Sequence, residues 1–469
     1  MGLIFQRLEK RIFTIPPDVI WILFGIVVGL FILNIQVFPL YRILIIIGGI
    51  FLFYLLISIR RRFDFLLVFF FVSLIFSPDV FFVLIYHCSW SDGISVTLTD
   101  FILFLIILLY LLENRENLFK HHFFLFHLDL PMLLLVLASL LSIINSINLT
   151  ASSFQIINFI KLYLVFFIFI RLMYFSINIE KMFFKGLIIL VGVQTVYFLQ
   201  SILEHGFLNG FRHSGAFPNP NSMAEFFAPI LVISLCMILV KSRSFNIKLA
   251  LPMVIWTGIM LILSFSRGGW LSAFTSLVLM MFFLFREKQI NRKYIYFTVF
   301  AIIVFVVIFS GEIIERLHFN DESAKSRLYL NKIALNMIST QPIFGVGINT
   351  FPFVMKQFYY PGLQTHAWLH TVHNQYLLVW SEMGILGIIS FLWLLYGAFR
   401  YAWKTFRSTS PFRFFALALL LAVLTSALHM MADMYVSFTN NVLLWLIFAG
   451  IGAIYLKSLE LTDNSARSS

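Results

Sequence analysis

The chain has 469 residues, of which 61% are hydrophobic, 18% aromatic and only 12% charged, and its mean hydropathy is +0.96. A soluble domain carries about 25% charged residues, so a soluble globular class is excluded and the bilayer is the solvent. The formal net charge of +12 does not point to nucleic acid, because Lys and Arg fall in short clusters between apolar runs, as the positive-inside rule requires.

The first 18 residues, with Arg7, Lys10 and Arg11, resemble the flank of a signal sequence. No small-residue cleavage site follows the first apolar run, which is therefore expected to be retained as a span. Fourteen spans are predicted, at 19–36, 41–59, 63–86, 97–112, 130–146, 155–172, 186–203, 223–241, 249–264, 270–285, 294–310, 375–399, 414–431 and 438–456. The span at 63–86 is interrupted by Ser77-Pro78-Asp79 and reads as a broken helix or two half-spans. With the N-terminus inside, the inner segments hold 24 of the 33 Lys and Arg residues, which puts both termini in the cytoplasm. The expected fold class is an all-α polytopic membrane protein of about 12–14 transmembrane helices with one large outer loop domain. The divisions are 1–310 for an N-terminal bundle of about eleven spans, 311–374 for the outer loop, 375–457 for the C-terminal helices and 458–469 for a cytoplasmic tail. Cys88 lies in an outer loop and Cys236 inside a span, and both are expected as free thiols.

Three polar motifs, far apart in sequence, fall on the outer side of this topology. The first is Gly215-Ala-Phe-Pro-Asn-Pro-Asn-Ser222, where two prolines stop helix formation and Asn221 or Ser222 can cap the next helix. Alone it would read as a plain cap. The second is Ser264-Phe-Ser-Arg-Gly-Gly-Trp270, containing Ser266 and Arg267. An arginine at the bilayer centre costs about 2.5–3.5 kcal/mol, so Arg267 belongs at the outer rim or in a pair. Arginine beside a helix N-terminus makes an anion site, and phosphate fits the guanidinium fork. The third runs from Leu369-His-Thr-Val-His-Asn-Gln-Tyr376 into Val379-Trp-Ser-Glu-Met-Gly384. It offers His370 and His373 as histidines able to take a hydroxyl proton near neutral pH, and Glu382 as an intramembrane carboxylate that needs a cavity or a partner.

The outer segment 311–374 is long for a connection and therefore functional by expectation. Within it, Asp321 to Ser339 is predicted as a helix against the membrane, capped by Asp321 or Ser323, with Leu328, Ala334, Leu335 and Ile338 as its apolar face. Gln341-Pro342 should end it and Gly345-Val-Gly347 should form a turn. The outer histidines lack metal-ligand spacing, so no metal and no cofactor is expected.

Taken in order, Phe217-Pro-Asn-Pro-Asn-Ser222, Ser264 to Trp270, Ser326-Arg-Leu with Ala334 and Pro342-Ile-Phe-Gly-Val-Gly347, and His373-Asn-Gln-Tyr-Leu with Glu382-Met-Gly-Ile-Leu-Gly387 resemble the O-antigen ligase and polymerase family of bacterial membrane glycosyltransferases. The resemblance implies a bundle like that of the C-type glycosyltransferases, with a periplasmic loop domain over a lipid-facing cavity. It implies a glycan donor on undecaprenyl diphosphate and a lipid A core or other glycan acceptor, handled in the inner membrane with the active site on the periplasmic side, without metal. Arg267 and Arg327 would hold the diphosphate charge, and His373 would act as general base on the acceptor hydroxyl or orient it. Asn219, Asn221, Ser266 and Asn374 would bind sugar or diphosphate, with Glu382 orienting His373 or an arginine. Lys161, inside its span, would reach the diphosphate or snorkel to the interface, and His370 competes with His373 for the base. Asp100 and Asp433 are weaker candidates. Ligase is the first reading and polymerase the alternative. A flippase for the same lipid-linked sugar is the alternative of another class, which should place charges along a pathway open to both sides.

Overall fold

The computed structural model describes residues 62–76, 79–84, 93–113, 123–206, 212–293, 322–358, 371–435 and 437–468. The expected spans at 19–36, 41–59 and 294–310, and also His370 and Cys88, lie outside the described residues. The chain divides into two compact units, residues 1–69 with 101–122, and residues 70–100 with 123–469. In the first, the described helical stretches bury Leu66, Ile102, Leu103, Leu105, Ile106 and Leu109.

The described helices are α1 (Arg62–Ser73), α2 (Leu98–Glu113), α3 (Phe126–Leu141), α4 (Leu149–Phe175), α5 (Ile179–His205), α6 (Pro220–Leu239) and α7 (Ile247–Leu263). They continue with α8 (Arg267–Arg286), α9 (Glu322–Thr340), α10 (Phe351–Val354), α11 (Gln375–Arg407), α12 (Arg413–His429) and α13 (Phe438–Ser468). Among the described residues seven helical segments are long and apolar enough to cross a membrane, and shorter apolar helices accompany them. The protein is an all-α polytopic membrane protein, with one small hairpin among the described residues.

That hairpin corrects the expected span at 63–86. Helix α1 stops at Ser73, and Asp79–Leu84 (β1) pairs antiparallel with Gly93–Thr97 (β2), Asp79 facing Thr97 and Leu84 facing Gly93. Pro78 cannot continue a helix, and the β-branched and aromatic residues that follow suit a strand. Residues beyond 457 continue α13 to Ser468, with Glu460 accepting a hydrogen bond from the Tyr174 hydroxyl at 2.9 Å. Cys236 is a buried free thiol.

Within the larger unit, α6 is buried on nearly every side, from Ser222 through Ser234 without a break, and packs against α7, α8 and α12. A helix apolar all round belongs at the centre of a bundle. Glu225 is the exception on α6, and its Oε2 accepts from Asn440 Nδ2 at 2.8 Å while the same amide donates to the Ser222 carbonyl at 2.9 Å. This latch ties the start of α13 to the start of α6.

In the segment expected as the outer loop, the described residues rest on α9. Its buried face is Leu330, Ile333, Ala334 and Met337, spaced as one side of a helix, and it packs on Val346, Phe351, Val354, Met355 and Val372. Ala334 and Ile338 are buried as expected, but Leu328 and Leu335 are 63% and 53% exposed. The 330/333/334/337 set wins because it faces the protein, whereas Leu328 and Leu335 lie on the opposite side.

The glycine motifs lock this domain to α11. At Gly384 the helix breaks with φ 66° and ψ −163°, a backbone region open essentially to glycine. The break exposes backbone groups that the 342–347 loop then satisfies: Val346 N donates to the Ser381 carbonyl at 2.9 Å, Gly347 N to that of Glu382 at 3.1 Å, and Ile385 N to that of Pro342 at 2.9 Å. A Cβ at Gly384 would overlap the Ile343 carbonyl, and one at Gly345 would overlap the Glu382 backbone. Gly384→Ala is therefore expected to cost at least about 1–3 kcal/mol, read as a lowered melting temperature in detergent; an unchanged melting temperature would contradict this account of the kink.

Candidate functional site

Four separated segments meet at one end of the bundle. The approach to α6 and its first turn bring Arg212 and Asn221, the N-cap and first turn of α8 bring Ser266, Arg267 and Gly268, α9 brings Arg327, and the link from α12 to α13 brings Ala432 and Asp433, with His429 closing α12. Together with Phe265 they line a single recess. His373, in the segment leading into α11, sits at the same place through its partner Asp433.

Local chemistry explains each position. Asn219 is the N-cap of α6, its Oδ1 accepting from Ser222 N at 2.8 Å, with Pro220 in the first turn. Phe265 has φ 48°, uncommon for an aromatic residue, and so turns the chain into Ser266. The Ser266 hydroxyl caps α8, accepting from Gly269 N at 3.3 Å. Arg267 is thereby the first residue of α8, where the unsatisfied amides and helix dipole favour an anion. Asn374 caps α11 by accepting from Tyr376 N and Leu377 N, each at 3.0 Å, and donates to the Met431 carbonyl at 3.1 Å.

Asp433 is the hub. Its Oδ1 lies 2.7 Å from His373 Nδ1, and its Oδ2 accepts from Asn221 Nδ2 at 2.5 Å and faces an Arg327 nitrogen at 3.8 Å. Asn221 Oδ1 in turn accepts from Arg212 at 2.8 Å, and the same arginine donates from Nε to the Ser264 carbonyl at 3.1 Å. Burial alone would raise the Asp433 carboxyl, but the hydrogen bond and charge of His373, with the Arg327 guanidinium nearby, bring it down to about 2. The carboxylate thus stays charged and fixes His373 with its Nδ1 occupied, which leaves Nε2 as the reactive nitrogen. Among the residues lining the recess, three arginines face one carboxylate, an excess of positive charge suited to an anionic ligand.

The sequence-derived candidates divide accordingly. Arg267, Arg327, Asn221, Ser266 and His373 are brought together, while Asn219 and Asn374 spend their side-chain oxygens on helix caps. Lys161 does not line the recess: its ammonium is 2.6 Å from Asp100 Oδ2, both side chains largely buried, because a cation at that depth needs a partner. Glu382 contacts neither His373 nor an arginine. Its two oxygens accept from Phe351 N at 2.9 Å and Asn349 N at 2.8 Å, so it holds the 345–351 loop on α11. Arg212 and His429 were missed by sequence reasoning, and Asp433 was ranked too low. The spacing of His429 and Asp433, four apart at one end of a helix, was the available signal. Among the described residues no three His, Cys, Asp or Glu side chains gather as metal ligands.

These features define a multi-pass membrane protein with a basic recess and a histidine–carboxylate pair at one end of its bundle. Residues 252–392 match the O-antigen ligase family. The match covers the turn with Arg267, helix α9 with Arg327, His373 and the Gly384 kink. No curated protein matches the chain.

Proposed function

We propose that the protein transfers a glycan from undecaprenyl diphosphate to an acceptor hydroxyl at the periplasmic face of a bacterial inner membrane, with both termini cytoplasmic. The observation that carries this reading is the meeting of Arg267 and Arg327 with Asp433 in one recess, His373 being held on that carboxylate, in a chain that matches the O-antigen ligase family over residues 252–392. The acceptor oxygen attacks the anomeric carbon, its proton passes to His373 Nε2, and the bond from that carbon to the diphosphate oxygen breaks with its electron pair leaving on the diphosphate. Arg267, Arg327 and the start of α8 hold the charge that builds there, each charge-assisted hydrogen bond contributing roughly 1.5–3 kcal/mol. Asp433 holds the ring and steadies the imidazolium. Lipid A core is the acceptor of a ligase reaction, and a growing lipid-linked glycan that of a polymerase.

Because arginines carry the phosphate charge in this mechanism, transfer is expected to survive EDTA; activity lost to the chelator and restored by a divalent ion would reject the metal-independent step. Polysaccharide blotting of a strain deleted for the gene tests the function itself. Long glycan left on its carrier beside bare core indicates a ligase, and single repeat units on core without a ladder indicate a polymerase. Lipid-linked glycan accumulating only on the cytoplasmic side would overturn the transferase reading in favour of a transporter.

A further inference from the structure

His429 lines the recess itself, and its geometry gives it a task different from that of His373. It ends α12, is 1% exposed, and its Nδ1 is buried without a hydrogen-bond partner. An orphaned N–H in that position costs more than an orphaned lone pair, so the ring proton belongs on Nε2. The Cδ2–Nε2 edge runs along Gly268, each of those two atoms 3.3 Å from where a Cβ on residue 268 would sit. Any larger residue there would crowd the ring, and both His429 and Gly268 line the recess. A protonated imidazolium would bury an unsatisfied N–H at Nδ1, so the ring serves as an uncharged donor rather than as a base.

Building on the reading of the recess as the diphosphate site, we propose that His429 donates a hydrogen bond from Nε2 to a diphosphate oxygen of the prenyl-linked donor. It adds a directed contact beside the arginines at the point where Arg267 begins α8. One hydrogen bond to a charged oxygen corresponds to about a tenfold to hundredfold change in affinity.

The test is equilibrium binding of undecaprenyl diphosphate to the purified full chain in detergent, for wild type, His429→Leu and His429→Gln. His429→Leu should bind about tenfold to a hundredfold more weakly, and His429→Gln, whose amide can replace the Nε2 donor, should recover most of the loss. Transfer by His429→Gln should keep the pH profile of wild type, since the base lies elsewhere. Unchanged binding by His429→Leu, or Gln as weak as Leu with both variants melting like wild type, would overturn the inference. Nitrogen NMR of labelled wild-type histidines needs no variant to fold: an Nε2-protonated ring that shifts on adding undecaprenyl diphosphate is expected, and an Nδ1-protonated ring would overturn the assignment. Wild-type protein that binds no undecaprenyl diphosphate would overturn the donor reading and this inference together, whereas wild-type binding that is indifferent to residue 429 would overturn this inference alone.

Discussion

Replacing His373 by alanine is expected to lower glycan transfer by about 10²–10⁴-fold, the usual contribution of a positioned general base, while undecaprenyl diphosphate still binds. The acceptor hydroxyl is too weak a nucleophile unless its proton has a destination, and Nε2 is the nitrogen that Asp433 leaves available. Asp433→Asn should come close to the same loss although it barely changes the shape of the site. An amide can present its N–H to Nδ1 and so favour the tautomer protonated on Nε2, which cannot accept a proton. Because the Asp433 carboxyl is held near 2, below its ordinary 3.8, its ionised form favours the folded state above about pH 4, and that contribution fades as pH falls toward 2. A decline in wild-type activity between pH 7 and pH 5 therefore reports a group other than Asp433. Transfer rates of the two variants, measured beside their binding of undecaprenyl diphosphate, check this; near-normal transfer by His373→Ala would remove it from the base position.

Arg267→Ala and Arg327→Ala should each reduce transfer by about 10²–10³-fold, the range found when one donor to a developing oxyanion is removed, with the protein still inserted and folded. The two losses differ in kind. Arg267 opens α8, where its guanidinium works with the helix N-terminus, so its loss should weaken donor binding and turnover together. Arg327 also faces Asp433 at 3.8 Å, so its removal takes a cation from beside a buried carboxylate and disturbs the His373 pair as well. A lysine should rescue Arg327 better than Arg267 if point charge is what Asp433 needs, since only arginine offers the planar fork. Either alanine variant working at the wild-type rate would take that residue out of the site.

Much of the bundle was legible in the sequence because apolar length and basic clusters are local signals. Every predicted span from 97 onward that falls on described residues has a helix over it. The hairpin at 79–97 was not legible as strands: Val80 to Leu84 is as apolar as a span, and only Ser77-Pro78-Asp79 marked the break. Site residues followed the same division. Arg267 and His373 stood out because charge or imidazole near a glycine turn or a span end needs a reason. Asp433 and His429 lie outside the recognised motifs, and their importance depends on α12 returning its end to the starts of α6 and α8, a long-range packing event. Lys161 and Glu382 show the converse. Each was a buried charge inviting a functional role, and each is answered by a structural partner, Asp100 for one and the amides of residues 349 and 351 for the other.

The most direct test of the central claim follows a single turnover of the purified protein with glycan-loaded undecaprenyl diphosphate and an acceptor glycolipid, without nucleotide sugar or divalent ion. The account predicts glycan on the acceptor and free undecaprenyl diphosphate in equal amounts, with both products lost in His373→Ala. Intact donor recovered unchanged from the wild-type reaction, or an equal yield from His373→Ala, would contradict it.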